Sequence, residues 1–407
     1  MGRTDWMISV DDHVLEPGSL WLERLPRQFR DKAPVLRSDD KGEAWFFDGK
    51  RVPTTGFQAA ASKRYEEFTP DPVTYDDMRP GCYDAAERIK DMNVDGVLAS
   101  VCFPSFPRFC GQVFYETPDR ELGFECIKAW NDWMIDDWCG YAPDRLIPLI
   151  IMPLWDPLLA AREIERCAAK GAKSLTFSEN PPRLGLPSLY DRNNYWDPVI
   201  EAASEAGVVI SVHIGSSSWV PKSSDDASLL SPIIWGTASV ASCTMVDWII
   251  SGKLRKFPKT KVSMSEGGIG WIPYFLERGA RNIERHRYWA SKRDLDLRDN
   301  EDEVLVFSDR PSIDFDLDFV QLFKDHLYGC AFADTEAFGL SVVESVGIID
   351  NIVIESDYPH LDSSWPNSLK VAKENIAHLS EENQYKILQG NARKLFGVDP
   401  KEPEGLL

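Results

Sequence analysis

From about residue 83 onward the chain repeats one unit: a short apolar run, then a longer amphipathic stretch. Apolar runs fall at 94–103, 145–152, 172–177, 208–214, 261–265, 327–332 and 351–356. Helical periodicity fills 84–92, 117–139, 156–170, 196–206, the region ending near 256, 271–289, 366–376 and 380–396. With an opening apolar strand at 6–10, this makes eight β-then-α units. Strands that are apolar throughout must be buried on both faces, which implies a parallel sheet covered by helices. Eight such units imply one (β/α)8 TIM barrel of the α/β class over residues 1–407, with its chemistry at the C-terminal strand ends.

Two segments fall outside the rhythm. Residues 18–80 contain Ala44-Trp45-Phe46-Phe47, then Asp48-Gly49-Lys50 and Arg51-Val52, a hairpin with an Asp-Gly turn. They read as an insertion near the barrel mouth. Residues 293–318 are highly charged and read as a surface insertion or lid.

The opening strand runs into Asp11-Asp12-His13. Strand alternation puts Asp11 and His13 on one face and Asp12 on the other. A carboxylate and an imidazole two residues apart can chelate one divalent cation, although so short a match is common by chance. The other strand ends add Glu179, His213, Glu266 and Asp357, with His360 three residues further on. Singly, each has an ordinary explanation as a core histidine, a helix-capping acid or a turn residue. Brought to one rim, they make a metal site.

Composition narrows the partners. The 65 acidic and 45 basic residues give a net charge of −20, which repels phosphate backbones and anionic membrane surfaces. Neither nucleic acid nor membrane is therefore expected as a partner. No stretch reads as long enough to span a membrane, and the N-terminus has no apolar signal segment. The eight cysteines include no Cys-x-x-Cys pair, so a reduced, cytoplasmic chain is expected.

The motifs Val10-Asp11-Asp12-His13-Val14-Leu15-Glu16-Pro17, Val212-His213-Ile214-Gly215, Ser265-Glu266-Gly267-Gly268-Ile269-Gly270-Trp271 and Glu355-Ser356-Asp357-Tyr358-Pro359-His360 span nearly the whole chain. Together they resemble the amidohydrolase-related branch of the amidohydrolase superfamily, which includes aminocarboxymuconate-semialdehyde and resorcylate decarboxylases. The resemblance gives Asp11 and His13 the places of the first-strand His-x-His ligands, His213 the fifth-strand ligand, and Asp357 the aspartate that binds metal or handles a proton. Glu266 stands where many relatives carry a sixth-strand histidine, and no lysine ends strand four. A site this rich in carboxylates favours Mn or Fe over Zn.

The resemblance implies a small-molecule enzyme, expected as a homo-oligomer, with a divalent metal ion (Zn, Mn or Fe) as cofactor, one or two per chain. The first expectation is hydrolysis or non-oxidative decarboxylation of a bulky or aromatic carboxylic substrate. In it His213, Glu266 and Asp357 act as catalytic groups, and Asp357 or Glu266 moves the proton. The alternative is a dinuclear non-haem iron monooxygenase, in which Glu179, Glu266 and His360 complete a second metal site. Phe103, Phe106, Phe109, Trp219, Trp235 and Trp271 lie near strand ends and suit either a bulky substrate or ordinary packing.

Overall fold

The computed structural model describes residues 4–296, 306–308, 310–333 and 336–403. Its strands are β1 (Met7–Val14), β2 (Val35–Asp39), β3 (Gly42–Phe47), β4 (Lys50–Val52), β5 (Val97–Pro104), β6 (Leu146–Ile147), β7 (Leu149–Ile150), β8 (Ser174–Ser178), β9 (Val209–His213), β10 (Val262–Ser265), β11 (Asp294–Asp296), β12 (Val306–Ser308), β13 (Leu327–Phe332) and β14 (Ile352–Glu355). Nine of them form one sheet in the order β6-β5-β1-β14-β13-β10-β9-β8-β7, with every neighbouring pair parallel.

The two outer strands of that order, β6 and β7, are separated in sequence only by Pro148. Proline has no N–H to give to a ladder, so it divides one stave into two pieces. Leu146 and Ile147 pair with β5, whereas Leu149 and Ile150 pair with β8. The Pro148 carbonyl accepts from Lys173 N and Ser174 N at 2.9 and 3.2 Å. The chain therefore joins the ends of the sheet, and eight staves make the barrel expected from the rhythm. The stave boundaries move by at most a few residues, except that β1 runs to Val14 rather than ending at Val10.

The helices follow from the same pattern. Asp84 caps the helix Ala85–Asp95 by accepting from Glu87 N, and Asp156 caps Pro157–Ala169. Residues 117–139 are not one helix: Arg120–Trp133 gives way to a π-turn at Met134–Trp138. The helix Leu230–Ile250 corrects the membrane expectation, because it is long and apolar enough to cross a bilayer by length and composition. Serines, threonines and a glycine interrupt its apolar run, which hid it in the sequence. In the fold it covers the barrel, with 44% of its most apolar window buried.

Residues 35–52 form a three-stranded antiparallel sheet; β3 and β4 turn through Asp48 and Gly49, both at positive φ. The strand β2 was not expected. Trp21, Phe47 and Trp45 of the inserted segment pack edge-on or tilted against Phe106 and Phe114 of the segment after β5. The same segment bonds the loop after β14: Ala60 N and Ala61 N donate to the Pro359 carbonyl, and Leu361 N donates to Phe57 O. Of the charged segment 293–318, the β11–β12 pair and residues 310–318 are described; residues 297–305 and 309 of that expected lid lie outside the described residues.

Candidate metal centre

The site starts at an irregularity in β1. Ser9 pairs with Ser100 but Asp12 with Cys102, so β1 carries one extra residue between them. Such a bulge re-aims side chains. Asp11 and His13 point into the barrel, and Asp12 points away from them, toward Ser9, Ser100 and Ser356. His213 ends β9, Glu266 follows β10, and Asp357 follows β14. Glu266 and Asp357 both adopt positive φ, at 55° and 53°. Non-glycine residues held there store about 1–2 kcal/mol each, and such strain concentrates at functional sites.

Four side chains converge. His13 Nε2 lies 3.1 Å from an Asp357 oxygen, 3.3 Å from His213 Nε2 and 3.6 Å from an Asp11 oxygen. His213 Nε2 lies 3.4 Å from the other Asp11 oxygen. All four residues are fully buried or nearly so. Donors held ~2.1 Å from one ion and ~90–110° apart lie roughly 3.0–3.4 Å from each other, which is close to this spacing. Among the described residues, the oxygens of Asp11 and Asp357 have no hydrogen-bond partner. Orphaned buried carboxylates are costly unless a cation satisfies them. His213 Nδ1 lies 2.5 Å from the Ile214 carbonyl, which fixes the proton on Nδ1 and leaves Nε2 free to ligate. The donor set therefore fits a divalent ion, through the two groups Asp11–His13–His213 and His13–Asp357–His360.

The surroundings sort the remaining expected residues. His360 stacks on His13 with centroids 3.5 Å apart, and its Nδ1 is 3.4 Å from Asp357. Glu266 approaches His213 from the other edge: its carboxylate is 3.5 Å from Nδ1, and its side chain is 20% exposed. Glu179 is not brought to the donors. It accepts from Ser216 Oγ and Ser217 Oγ, and its carbonyl accepts from Thr244 Oγ1, so the serines after β9 hold it aside. Phe109 stacks on His213 at 4.1 Å and meets His13 edge-on, and Phe103 flanks both rings.

Glu355 was not expected from the sequence. It is buried two residues before Asp357, one oxygen accepting from Glu266 N and the other without a partner. The signal was in the motif Glu355-Ser356-Asp357, a second acid at the same stave end. Asp12 and the fully buried Arg88 also lie beside the site and were not expected there. Arg88 donates to the carbonyls of His13 and Gly81.

The electrostatics follow from burial. Burial, then the charges of Glu355, Asp357 and Glu266, pushes the Asp11 carboxyl well above its usual range. Burial, with Asp357, Asp362 and Glu355, does the same to Glu266. Burial also opposes ionisation of Asp357, but His360 and His13 overcome it and hold that carboxyl low. Burial keeps His13 well below the usual histidine value and lowers His213 to about 4, so both imidazoles are neutral and able to ligate.

The amidohydrolase family model matches residues 34–398, and the chain belongs to that family of enzymes. It is 25% identical to a γ-resorcylate decarboxylase of Polaromonas sp. (strain JS666 / ATCC BAA-500) over 301 residues, covering 69% of this chain and 79% of that protein. Among solved structures it is similar to an amidohydrolase of Mycobacterium avium subsp. paratuberculosis K-10 (TM-score 0.69, 20% identity, 97% of this chain and 98% of that one). It is also similar to a 5-carboxyvanillate decarboxylase of Novosphingobium aromaticivorans DSM 12444, solved with manganese and 4-hydroxy-3-methoxy-5-nitrobenzoic acid (TM-score 0.61, 17% identity, 97% and 96% covered).

Proposed function

We propose that the protein decarboxylates a hydroxylated aromatic carboxylate without oxidation, using one divalent metal ion, with manganese the first choice. The observation that carries this reading is the pair of triads Asp11–His13–His213 and His13–Asp357–His360, which share His13 and bring unpartnered carboxylate oxygens together. Carboxylate and imidazole donors together suit manganese better than a thiolate-preferring ion. When bound, the ion would supply Lewis-acid chemistry at the point where Asp11, His13, His213 and Asp357 meet.

The chain's own groups do the rest. Phe109 and Phe103 pack on the imidazoles of His213 and His13 and hold those rings in place with an apolar wall. In the reaction the bond between ring carbon and carboxylate breaks, carbon dioxide leaves, and its bonding pair stays on the ring carbon until a proton arrives. Glu266 is the proton donor in this reading: burial, with the charges of Asp357, Asp362 and Glu355, raises its carboxyl and favours the protonated form. Asp357, held ionised by His360 and His13, serves as ligand instead.

The relatives named above favour this reading over the di-iron monooxygenase, and the position of Glu179 removes one ligand that the second metal site required. A homo-oligomer remains part of the proposal, testable by light scattering. The test of function is carbon dioxide release from 2,6-dihydroxybenzoate and 5-carboxyvanillate by manganese-loaded protein, with the decarboxylated phenol identified by chromatography. Manganese-loaded protein that releases neither product from a panel of phenolic acids refutes the proposal.

A further inference from the structure

Asp357 sits in the left-handed backbone region, which only a few per cent of non-glycine residues adopt. What holds it there lies on the far face of β1. Asp12 is 1% exposed, and a single oxygen, Oδ1, accepts three bonds: from Ser9 Oγ at 2.8 Å, Ser356 Oγ at 2.6 Å and Tyr358 N at 3.2 Å. Ser356 and Tyr358 are the residues on either side of Asp357. Oδ2 accepts from Ser100 Oγ on β5. Ser9 Oγ in turn accepts from Ser356 N at 2.9 Å. Main-chain bonds complete the staple, from Asp357 N to Asp11 O and from His13 N to Tyr358 O.

We infer that Asp12 is a positioning residue for the metal centre: its Oδ1 clamps the left-handed turn at Asp357 to β1, so that ligands from the first and eighth staves meet at one point. This rests on the metal-centre reading above but assigns Asp12 a role that reading does not contain. Asp12 lies between two ligands in sequence yet faces away from both, so it touches neither ion nor substrate. It acts through two bonds to the end of β14, from Ser356 Oγ and Tyr358 N, and a third from Ser9 within β1. Arg88 beneath it supports the same turn, by donating to the His13 carbonyl and stacking its guanidinium on the Tyr358 ring at 4.3 Å. Groups that orient metal ligands are typically worth 10- to 100-fold in metal affinity.

The geometry makes an asymmetric prediction. Asn at position 12 keeps an acceptor oxygen where Oδ1 stands, and its amide can donate to Ser100 Oγ. Ala keeps nothing. Full-length protein, stripped of metal, is titrated with Mn2+ and the affinity read by calorimetry, with melting temperatures measured with and without the ion. Asp12→Ala is expected to weaken Mn2+ binding 10- to 100-fold, and Asp12→Asn to stay within about fivefold of wild type. Ser356→Ala, which removes one of the three bonds and leaves no buried charge alone, is expected to weaken binding about three- to tenfold. That variant decides the matter if Asp12→Ala does not fold. A merely structural role would lower the melting temperature equally with and without Mn2+ and leave the affinity unchanged. Unchanged affinity in folded Asp12→Ala or in Ser356→Ala overturns the proposal. So does an Asp12→Asn defect as large as that of Asp12→Ala, because it would make the charge, not the placed acceptor, the operative feature.

Discussion

Glu266→Gln separates the two roles that a carboxylate at the end of β10 can play. Glu266 Oε2 lies 3.5 Å from His213 Nδ1, whereas the donors converge on His213 Nε2, the opposite edge of the ring. Nδ1 is already engaged with the Ile214 carbonyl. Glu266 therefore stands behind the ligand, not in the donor ring. Gln keeps its size and removes its proton. Loss of a positioned general acid costs 10²- to 10⁴-fold, or about 2.7–5.4 kcal/mol of barrier, whereas loss of a ligand would appear in binding. The assay pairs metal content per chain by elemental analysis with turnover in the proposed decarboxylation. The expected result is full metal content and a fall in kcat of two to four orders of magnitude. Loss of half the metal or more would place Glu266 in the donor set and refute the argument from ring edges. Unchanged kcat would remove it from the proton path.

Three other outcomes follow from the same structure. His13→Ala or His213→Ala should weaken Mn2+ binding at least ~100-fold while circular dichroism stays unchanged, because the staves are held by their ladders and not by the ion. For the wild type, Mn2+ at 100 times its dissociation constant adds about 2.7 kcal/mol of stability. Unfolding entropy of about 2.1 cal/mol/K per residue over 407 residues makes that a rise in Tm of roughly 3 °C by calorimetry. Glu16 gives a pH signature away from the donors: burial pushes its carboxyl up to about 7, against the hydrogen bonds from Phe106 N, Trp130 Nε1 and Ser105 N. The folded state thus binds the proton more tightly than the unfolded state, where the usual value is near 4.5. Its contribution, of order 3 kcal/mol, is fully present below pH ~4.5 and lost as pH rises through ~7. Chemical denaturation across pH 5–8 should show that fall, and Glu16→Gln should flatten it.

The barrel was legible because fully apolar strands alternating with amphipathic helices admit few other arrangements, and the meeting of the candidate residues was legible because stave ends share one rim. That rule put Asp11, His13, His213 and Asp357 on one rim, and the structure sets each of them 3.1 to 3.6 Å from a neighbour in the group. Glu179 obeyed the same rule and was nonetheless turned aside, since Ser216 and Ser217 offer its carboxylate hydroxyl donors that sequence spacing does not reveal. The bulge in β1 and the positive φ of Glu266 and Asp357 were invisible for a related reason: neither position is glycine, so nothing in the sequence marks the left-handed turn. Asp12 was passed over because it faces away from the ligands. Helix Leu230–Ile250 was missed as a bilayer-length element because small polar residues dilute its apolar run.

The central claim is that one divalent ion, held by Asp11, His13, His213 and Asp357, supports a non-oxidative reaction. The most direct test is to titrate metal-free protein with Mn2+ under strict anaerobiosis while following carbon dioxide release from the phenolic acids proposed above. The account predicts release that rises in proportion to bound metal, saturates at one ion per chain and proceeds without oxygen. Saturation at two ions, or turnover that appears only when oxygen is admitted, would contradict it.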